Sequence, residues 1–325
     1  MEHTERDTLA EVGEIGALAR VLPLLPPAPQ ATLGPGDDSA VMRIMGDRVV
    51  ISCDMMVEGP DFSWDWSTPR DVGVKAIASN ATDIASMGAV VVGFEIAVAA
   101  PATTPVGVLE ELARGFAEGI NALTPHAGVL GGDLSVSPVL TIAITVLGDL
   151  QGRQPVTRSG ARAGDVVAVA GELGLSRKGL LELQEAGRDK EAIARLRSSS
   201  RAVAHHLAPM PPVSLGVEAA LAGATAMMDI SDGLVLDATR MAKASGVTIE
   251  LDALDEDALA GGEDHGFLAA FPSHSALPEG FRVVGRVIAP RPQEWVCGAG
   301  YEIGSERGGW DPFQDFSAKT NEVSP

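Results

Sequence analysis

Apolar residues recur along this chain with two different periods, and their alternation predicts an α/β protein. Helical spacing is found in three segments of the first half, residues 11–25, 68–87 and 106–123. Apolar β-rich runs separate them, at residues 90–99, 128–130 and 139–147. Residues 39–44 and 48–52, with Gly46 and Asp47 between them, are typical of the two strands of a hairpin. The first half therefore predicts helices alternating with a small sheet.

The second half carries a similar mixture after a turn-rich stretch at residues 148–164, which is the predicted domain boundary. Strands are predicted at residues 165–170, 225–228, 247–251, 267–271 and 282–288. Helices are predicted at residues 175–186, 190–198, 213–222 and 231–245. At 325 residues the chain exceeds the usual size of one core. We therefore expect an N-terminal domain over residues 1–150, a C-terminal domain over 151–315 and a disordered tail at 316–325.

Composition and charge narrow the range of partners. Hydrophobic residues make up 46% of the chain, and 24 Lys and Arg against 44 Asp and Glu give a net charge of −20. Such an acidic chain is unsuited to nucleic acid or to an anionic membrane surface, because both require Lys and Arg. Only Cys53 and Cys297 are present, with neither metal-ligand spacing nor a disulfide framework, and the lack of such a framework favours a reducing cytoplasm. We expect a cytoplasmic protein with a small phosphorylated or hydroxyl-bearing substrate.

Six short acidic motifs carry the candidate chemistry. They are Gly36-Asp37-Asp38, Cys53-Asp54, Asn80-Ala81-Thr82-Asp83, Gly131-Gly132-Asp133, Asp229-Ile230-Ser231-Asp232 and Gly262-Glu263-Asp264. Most are expected at the ends of strands or helices, where a fold can bring carboxylates together. Clustered carboxylates repel one another unless cations neutralise them, and Mg²⁺ bridging substrate phosphates is the commonest such arrangement. The motifs predict a metal-dependent enzyme that handles phosphate.

Each motif also has an ordinary structural explanation. A Gly-Asp-Asp turn, an Asp at a strand end and an N-cap at a helix start are all common. The motif at residues 229–232 has more oxygen-bearing groups than a cap requires, and Asn80 lies one helical turn before Asp83. Walker-A, kinase-type Gly-rich and Gly-x-Ser-x-Gly sequences are all missing from the chain, and the pair His205-His206 is not spaced for zinc.

Taken together and in order, the motifs resemble those of the thiamine-monophosphate kinase family. Supporting pieces are Thr157-Arg158-Ser159-Gly160, Ala163-Gly164-Asp165, His206-Leu207-x-Pro209 and Gly309-Trp310-Asp311, so that the resemblance runs from about Gly13 to Phe313. It implies the two-domain α/β architecture, with mixed sheets, of aminoimidazole-ribonucleotide synthetase. In that architecture a ferredoxin-like N-terminal domain dimerises, and a C-terminal α/β domain follows.

The resemblance also implies an activity and a set of site residues. The family transfers the γ-phosphoryl group of ATP directly to thiamine monophosphate with the help of several Mg²⁺ ions. The implied metal ligands are Asp38, Ser52, Asp54, Asp83, Asp133, Asp229 and Asp232. The implied nucleotide contacts are Gly132, Asp133, Arg158 and Ser231. On the thiamine side the implied residues are Asp61, Glu263 and Trp310. Family members are homodimers that pair their N-terminal sheets and hold the nucleotide between the two domains.

The chain departs from the family pattern mainly on the substrate side. Asp61 stands where the family has a substrate-facing His, Cys53 replaces a Thr, and the usual Gly-Glu-Asp-Tyr-Glu-Leu has become Gly-Glu-Asp-His-Gly-Phe from Gly262. Arg177 and Lys178 are additional cations beside a predicted phosphate-binding loop, where they either hold an anionic acceptor or lie on a solvated helix surface. Three alternatives to the family activity follow: a kinase with another small acceptor, an inactive nucleotide-binding paralogue, and a ligase-type relative.

Overall fold

The computed structural model describes residues 7–35 and 39–298, and the chain divides into two compact units. The first unit comprises residues 1–84 and 89–153, and the second comprises residues 85–88 and 154–325. The passage from one unit to the other after Arg153 falls inside the turn-rich stretch at residues 148–164. The predicted tail at 316–325 lies outside the described residues.

The first unit combines helices with a four-stranded sheet and a small two-stranded sheet. Its helices are α1 (Leu9–Val21), α2 (Pro69–Ser86), whose last two residues belong to the second unit, and α3 (Val106–Leu123), and a 3-10 turn spans Leu22–Leu24. Its strands are β1 (Ala31–Leu33), β2 (Val41–Met42), β3 (Val49–Val57), β4 (Val90–Ala100), β5 (Val129–Val136) and β6 (Thr141–Asp149). The four-stranded sheet has the order β3-β6-β4-β5, with β4 and β5 parallel and the other pairs antiparallel.

Helix α2 is fixed at its start by a reciprocal cap. The backbone N–H of Thr68 donates to Asp71 Oδ2 at 2.7 Å, and the N–H of Asp71 donates to Thr68 Oγ1 at 3.2 Å. Glycines then let α2 and α3 approach closely, because a Cβ on Gly73 would lie 2.5 Å from the carbonyl oxygen of Leu112. The helix is consequently buried along most of its length.

The four-stranded sheet has two different faces. The inner face carries buried Ile96, Ile144 and Val146, and α2 covers part of it, since a Cβ on Gly148 would meet the side chain of Ile84. The outer face, which we define by the alternate residues of each strand, carries Ile51 and Met55 of β3 with Ala143 of β6 and Ala97 of β4. Ile51 is 60% exposed and Met55 is 56% exposed. The outer face therefore exposes apolar side chains of β3 to solvent in the single chain.

Three strand predictions for this unit are wrong. The predicted hairpin does not form, because β2 pairs with β1 while β3 pairs with β6 along its full length. Strand β3 also continues past Ile51 to Val57, which places Asp54 inside a strand instead of at its end. Similarly, β5 does not stop at Leu130 but includes Gly131, Gly132 and Asp133. Pairing with a long neighbouring strand overrides the local turn signals.

The second unit is built on a six-stranded sheet of order β12-β9-β11-β7-β10-β8. The strands are β7 (Val166–Ala170), β8 (Ala226–Ile230), β9 (Thr248–Leu251), β10 (Gly266–Phe271), β11 (Phe281–Ile288) and β12 (Val296–Gly298). The helices are α4 (Leu175–Ala186), α5 (Lys190–Ser199), α6 (Arg201–Leu207), α7 (Ser214–Leu221), α8 (Leu234–Ser245) and α9 (Glu256–Ala260). Pairs within the sheet are antiparallel except β12 with β9, which is parallel.

A single apolar core joins α8 to this sheet. Leu234, Ala238 and Met241 of the helix are buried against strand residues such as Ile230 and Leu268. This spacing of three and four residues is the pattern that predicted the helix. The helix begins at Leu234 instead of Ser231, with Gly233 as its N-cap residue at φ 118°. Ser231 therefore lies in the connection between β8 and α8 and does not cap the helix.

Candidate active site

Two oxygen-bearing side chains predicted as metal ligands meet in the first unit. Ser52, on the inner face of β3, donates from Oγ to Asp83 Oδ2 at 2.7 Å. Asp83 lies near the end of α2, so the packing of this helix on the sheet brings together residues 31 positions apart in the sequence. Both side chains are partly exposed, which leaves oxygen atoms accessible to an ion.

Asp54 lies two residues after Ser52 and therefore on the same face of β3. Its Oδ1 accepts the backbone N–H of Met55 at 2.8 Å, and the residue is exposed. Strand alternation thus places Ser52 and Asp54 in a row beside Asp83. This corner of the sheet is the oxygen-rich part of the first unit.

Gly132 and Asp133 lie on the other edge strand, β5. In the register of the sheet, Gly132 is in the same row as Asp54, separated from it by β6 and β4. Three strand spacings correspond to about 14 Å. Asp133 follows Gly132 and so belongs to the outer face, beside Ala97. The fold of one chain does not bring Asp133 together with Ser52, Asp54 and Asp83.

A cavity of about 320 Å³ adjoins the Gly131-Gly132-Asp133 motif. Apolar side chains such as Leu18, Leu109 and Phe116 line most of it, together with Gly34, Pro35 and Ser39. Asp38, predicted as a metal ligand, comes between Pro35 and Ser39 in the sequence but lies outside the described part of the chain. The predicted substrate-side residue Trp310 also lies outside the described residues. The chain on either side of the Gly-Asp-Asp motif thus borders the same cavity as the Gly-Gly-Asp motif.

In the second unit, the loop before β10 brings Glu263 beside the Asp-Ile-Ser-Asp motif. The backbone N–H of Glu263 donates to the carbonyl oxygen of Ser231 at 2.7 Å, and that of His265 donates to Ile230 at 3.0 Å. A Cβ on Gly262 would lie 2.7 Å from the carbonyl oxygen of Ser231, so only glycine allows this approach. Glu263, predicted on the substrate side, is therefore a neighbour of Ser231 and Asp232, which were predicted to bind nucleotide and metal.

Asp229 and Asp232 occupy different environments. Asp229 is a buried residue within β8, opposite Phe267 of β10. Asp232 lies in the connection to α8, and its Oδ2 accepts a hydrogen bond from Arg240 Nη1 at 2.5 Å. Arg240 Nη1 also donates to Asp237 Oδ1 at 2.7 Å. One guanidinium group thus links a candidate metal ligand to a second acid on α8.

Asp237 is fully buried, and it receives the backbone N–H of Asp232 on its Oδ2 at 3.2 Å. Burial raises the pKa of its carboxyl group to about 6, although the charge of Arg240 opposes the rise. Neither Asp237 nor Arg240 was among the predicted site residues. Their spacing of three residues on a helix is a known signal for an ion pair and could have identified them.

Arg158 lies beside the start of β8. The carbonyl oxygen of Thr157 accepts the N–H of Met227 at 3.1 Å, and that of Arg158 accepts Ser245 Oγ at 3.0 Å. The four residue steps from Met227 to Ser231 span about 13 Å along an extended chain. Arg158 and Ser231, both predicted to contact nucleotide, are therefore at opposite ends of the same strand.

The remaining predicted substrate-side residues are held by neighbours. Asp61 Oδ2 accepts the N–H of Val57 at 2.7 Å, which closes the turn after β3. Arg177 forms ion pairs with Glu256 and Asp257, both at 3.2 Å. Lys178 lies 3.7 Å from Asp255 and 3.9 Å from Asp257. Both cations of α4 are therefore directed toward acids at the start of α9.

Further polar residues, which the sequence motifs contain but to which no site role was assigned, support the loop that carries Glu263. Asp264 is buried and accepts the N–H groups of Gly174 and Ser176 at 2.5 and 2.8 Å. His206 Nδ1 lies 2.9 Å from Ser176 Oγ and 3.8 Å from Glu263 Oε2. These contacts tie the loop to α4 and α6. The sequence showed the residue types but not that these helices meet the loop.

The donor chemistry of the first unit fits a hard divalent cation. Ser52, Asp54 and Asp83 offer hydroxyl and carboxylate oxygens, which Mg²⁺ prefers. Asn80 Oδ1, one helical turn before Asp83, is buried and has no hydrogen-bond partner among the described residues. Within residues 7–35 and 39–298, no group of three or more His, Cys, Asp or Glu is placed to hold a metal ion. The described part of the chain also contains no helix long and apolar enough to cross a membrane.

Comparison with known proteins supplies the class of protein. Residues 36–150 match the family model of AIR synthase related protein, N-terminal domain, and residues 162–273 match that of the C-terminal domain. The two matched domains and the mixed α/β units define an AIR synthase related protein with two domains. This result confirms the predicted fold class.

Individual relatives narrow the class. A thiamine-monophosphate kinase of Mycobacterium tuberculosis is 40% identical over 325 residues, which covers 92% of this chain and 94% of that protein. A thiamine-monophosphate kinase of Corynebacterium glutamicum is 38% identical and covers 80% of this chain and 83% of its own. The solved structure of AaThiL complexed with AMPPCP and TMP has a TM-score of 0.70 at 28% identity, covering 94% of this chain and 98% of that one. The chain belongs to the thiamine-monophosphate kinase family.

Proposed function

We propose that the chain transfers the γ-phosphoryl group of ATP to thiamine monophosphate, giving ADP and thiamine diphosphate. The observation that carries this proposal is the 40% identity to the Mycobacterium tuberculosis kinase over 92% of the chain, because a match of that length includes both domains. The binding of AMPPCP, an ATP analogue, and TMP by a structural relative supports the same pair of substrates.

The reaction suits a site that is rich in carboxylates and poor in bases. A phosphate monoester is already a competent nucleophile, so the protein has no need of a strong base to activate it. Catalysis then requires that two anionic phosphates be held in line and their mutual repulsion neutralised. A site of this kind agrees with the hydroxyl and carboxylate oxygens that Ser52, Asp54 and Asp83 provide.

Mg²⁺ ions are the proposed source of that neutralisation, and when bound they would screen the phosphate charges and orient the triphosphate. The proposed ligands are Asp38, Ser52, Asp54, Asp83, Asp133, Asp229 and Asp232. The hydrogen bond from Ser52 to Asp83 supports these two members of the set. ATP phosphate oxygens would complete the metal coordination, because Mg²⁺ is usually held by few carboxylates together with substrate phosphates.

The chain's own residues would position the two substrates. Gly132 and Ser231 would contact the nucleotide, and Arg158 would offer a guanidinium group to it. Glu263, together with Asp61 and Trp310, is proposed for the acceptor side. The buried contacts of Asp264 with α4 would keep the Glu263 loop in one conformation.

A different acceptor is less well supported. That alternative relied on Arg177 and Lys178 as holders of an anionic group, but both already face the acids at the start of α9. An ion-paired cation is a weaker anion receptor than a free one, because its charge is neutralised. The ion pairs of Arg177 and Lys178 therefore favour a structural role for both residues on the helix surface. Thiamine monophosphate remains the proposed acceptor.

The test compares thiamine monophosphate with other small phosphates and alcohols in a coupled ADP assay with MgATP. We expect selective turnover of thiamine monophosphate, and we expect Asp54→Asn to lower kcat/KM about a hundredfold or more. Asp47→Asn is the matched control, because Asp47 is an exposed acid of the same unit whose change alters the charge equally. Turnover of another acceptor alone, or none with any acceptor, would refute the proposal.

A homodimer is part of the proposal. The exposed apolar outer face of the four-stranded sheet would be covered by a second copy, since a large apolar surface is unusual on a monomer. The separation of Asp133 from Asp54 within one chain is consistent with this arrangement, because apposed edge strands could bring β5 of one copy near β3 of the other. The cytoplasmic location inferred from the cysteine content remains a prediction.

A further inference from the structure

One cationic side chain of the second unit lies between two acids in different surroundings. Arg240 donates from a single nitrogen, Nη1, to Asp232 Oδ2 at 2.5 Å and to Asp237 Oδ1 at 2.7 Å. The side chain of Asp237 is fully buried, whereas that of Asp232 is 26% exposed. One contact of Arg240 is thus anchored in the interior, and the other is made where a dissolved ion can reach.

Asp237 also fixes the main chain at Asp232, whose backbone N–H donates to Asp237 Oδ2 at 3.2 Å. The position of Asp232 therefore does not depend on its carboxylate contact with Arg240. Arg240 is held as well, because a buried carboxylate that loses its counter-ion is strongly unfavourable. Of the three contacts, the one between Arg240 and Asp232 is the least costly to break.

We propose that Arg240 is an internal counter-ion that Asp232 exchanges for a divalent cation. Arg240 remains on Asp237 during the exchange and sets the cation concentration at which Asp232 becomes occupied. The guanidinium group and the divalent ion compete for one carboxylate and repel each other, so each weakens the binding of the other. This inference rests on the proposed function in taking Asp232 as a metal ligand.

Removal of the guanidinium charge should therefore tighten the binding of a divalent cation. Arg240→Gln takes away the charge and leaves an amide that can still donate to Asp237. Because both Arg240 and Asp232 are partly exposed, solvent screens their attraction, and the expected gain is about threefold to tenfold in affinity. If Arg240 instead held Asp232 in a binding-competent position, the same change would weaken binding.

The experiment measures Mn²⁺ binding to the nucleotide-free full chain from the electron paramagnetic resonance of the free ion, at fixed pH and ionic strength. Wild type is compared with Arg240→Gln, Asp232→Asn and Arg286→Gln. Arg286 is the matched control, because it pairs with Glu250 on the sheet of the same unit and its loss changes the net charge equally. We expect tighter binding in Arg240→Gln, weaker binding in Asp232→Asn and no change in Arg286→Gln.

The outcomes separate the inference from the proposed function. Unchanged or weaker binding in Arg240→Gln, with weaker binding in Asp232→Asn, overturns the inference and leaves Asp232 a metal ligand. Identical binding by Asp232→Asn and wild type overturns both the inference and the metal role of Asp232. Should Arg240→Gln fail to fold, the double variant Asp237→Asn with Arg240→Gln removes the charges of both partners, and the same gain in affinity is expected.

Discussion

At the scale of single residues, Asp237 is an unusual acid. Its carboxyl group is fully buried on α8, and its two oxygens accept hydrogen bonds from Arg240 and from the backbone of Asp232. Desolvation nevertheless dominates and raises its pKa to about 6 from an ordinary value of 3.8. The folded chain therefore binds this proton more tightly than the unfolded chain does.

This difference predicts how stability depends on pH. Between about pH 4 and 6 the folded state holds a proton on Asp237 that the unfolded state has released, so the free energy of unfolding falls as pH rises. The stabilisation is fully present below the pKa that Asp237 has in the unfolded chain. It is lost as the pH rises through 6, and the free energy of unfolding then falls by about 2–3 kcal/mol. Urea denaturation of the metal-free protein over this range measures it.

Asp237→Asn is the variant that isolates the effect, because asparagine cannot titrate but still accepts the N–H of Asp232. The difference in unfolding free energy between wild type and variant should change with a midpoint near pH 6. Other acids titrate in both proteins and cancel in that difference. A difference that is constant from pH 4 to 7 would contradict the assignment of the shift to Asp237.

At the scale of elements, the start of α4 depends on a residue distant in sequence. The N-cap residue of this helix, Gly174, has φ 73° and provides no side chain to satisfy the first N–H groups. Asp264, ninety residues further on, accepts the N–H groups of Gly174 and Ser176 instead. Asp264 directly follows Glu263 in its loop. The same contacts therefore cap α4 and hold the loop that carries Glu263.

Asp264→Ala should consequently affect both properties. The substitution leaves two buried N–H groups without an acceptor, which costs about 2–4 kcal/mol in stability. Because Asp264 also holds the loop that carries Glu263, the substitution should raise KM for thiamine monophosphate more than KM for ATP. Asp264→Asn keeps one acceptor oxygen and should show a smaller loss in both measurements. Thermal unfolding and steady-state kinetics check this, and an unchanged melting temperature in Asp264→Ala would show that the contacts are unimportant.

The sequence predicted elements well where their signals are local. Helices α3 and α4 were predicted at their observed bounds, and α2 within one residue at each end, because apolar spacing and flanking Gly and Pro residues decide these segments. The hairpin failed because strand pairing is not local: β3 pairs with β6, which lies about ninety residues away. The short elements α6, α9 and β12 were missed, since so few residues carry little periodic signal.

The site was predicted unevenly for the same reason. Local motifs suggested Ser52, Asp54 and Asp83, and the structure brings Ser52 and Asp83 into contact. The expectation that Asp133 ends a strand was wrong, and its distance from Asp54 follows from the order of strands in the sheet. No pattern in a single sequence specifies that order. Arg240 was missed because the acidic motifs contain oxygen ligands and not their counter-ions.

At the scale of the whole molecule, the sheet order of the first unit carries a consequence for assembly. With β3 at one edge and β5 at the other, the outer face between them presents Ile51, Met55 and Ala97 without a covering layer in the single chain. Burial of such a face is favourable by about 25 cal/mol for each square ångström of apolar surface. A second copy of the chain is the proposed cover.

Met55→Glu tests this arrangement because Met55 lies within the outer face. A carboxylate there would be buried without a partner in the proposed dimer, which is strongly unfavourable, so the dissociation constant should rise about a hundredfold or more. Leu221→Glu is the matched control: Leu221 is 70% exposed at the end of α7, and the change adds the same charge to the second unit. We expect Leu221→Glu to remain dimeric in sedimentation equilibrium while Met55→Glu dissociates.

Two outcomes would show that the outer face is not the interface: a monomeric wild type, or a dimer that Met55→Glu leaves intact. The separation of Asp133 from Asp54 would then need another explanation.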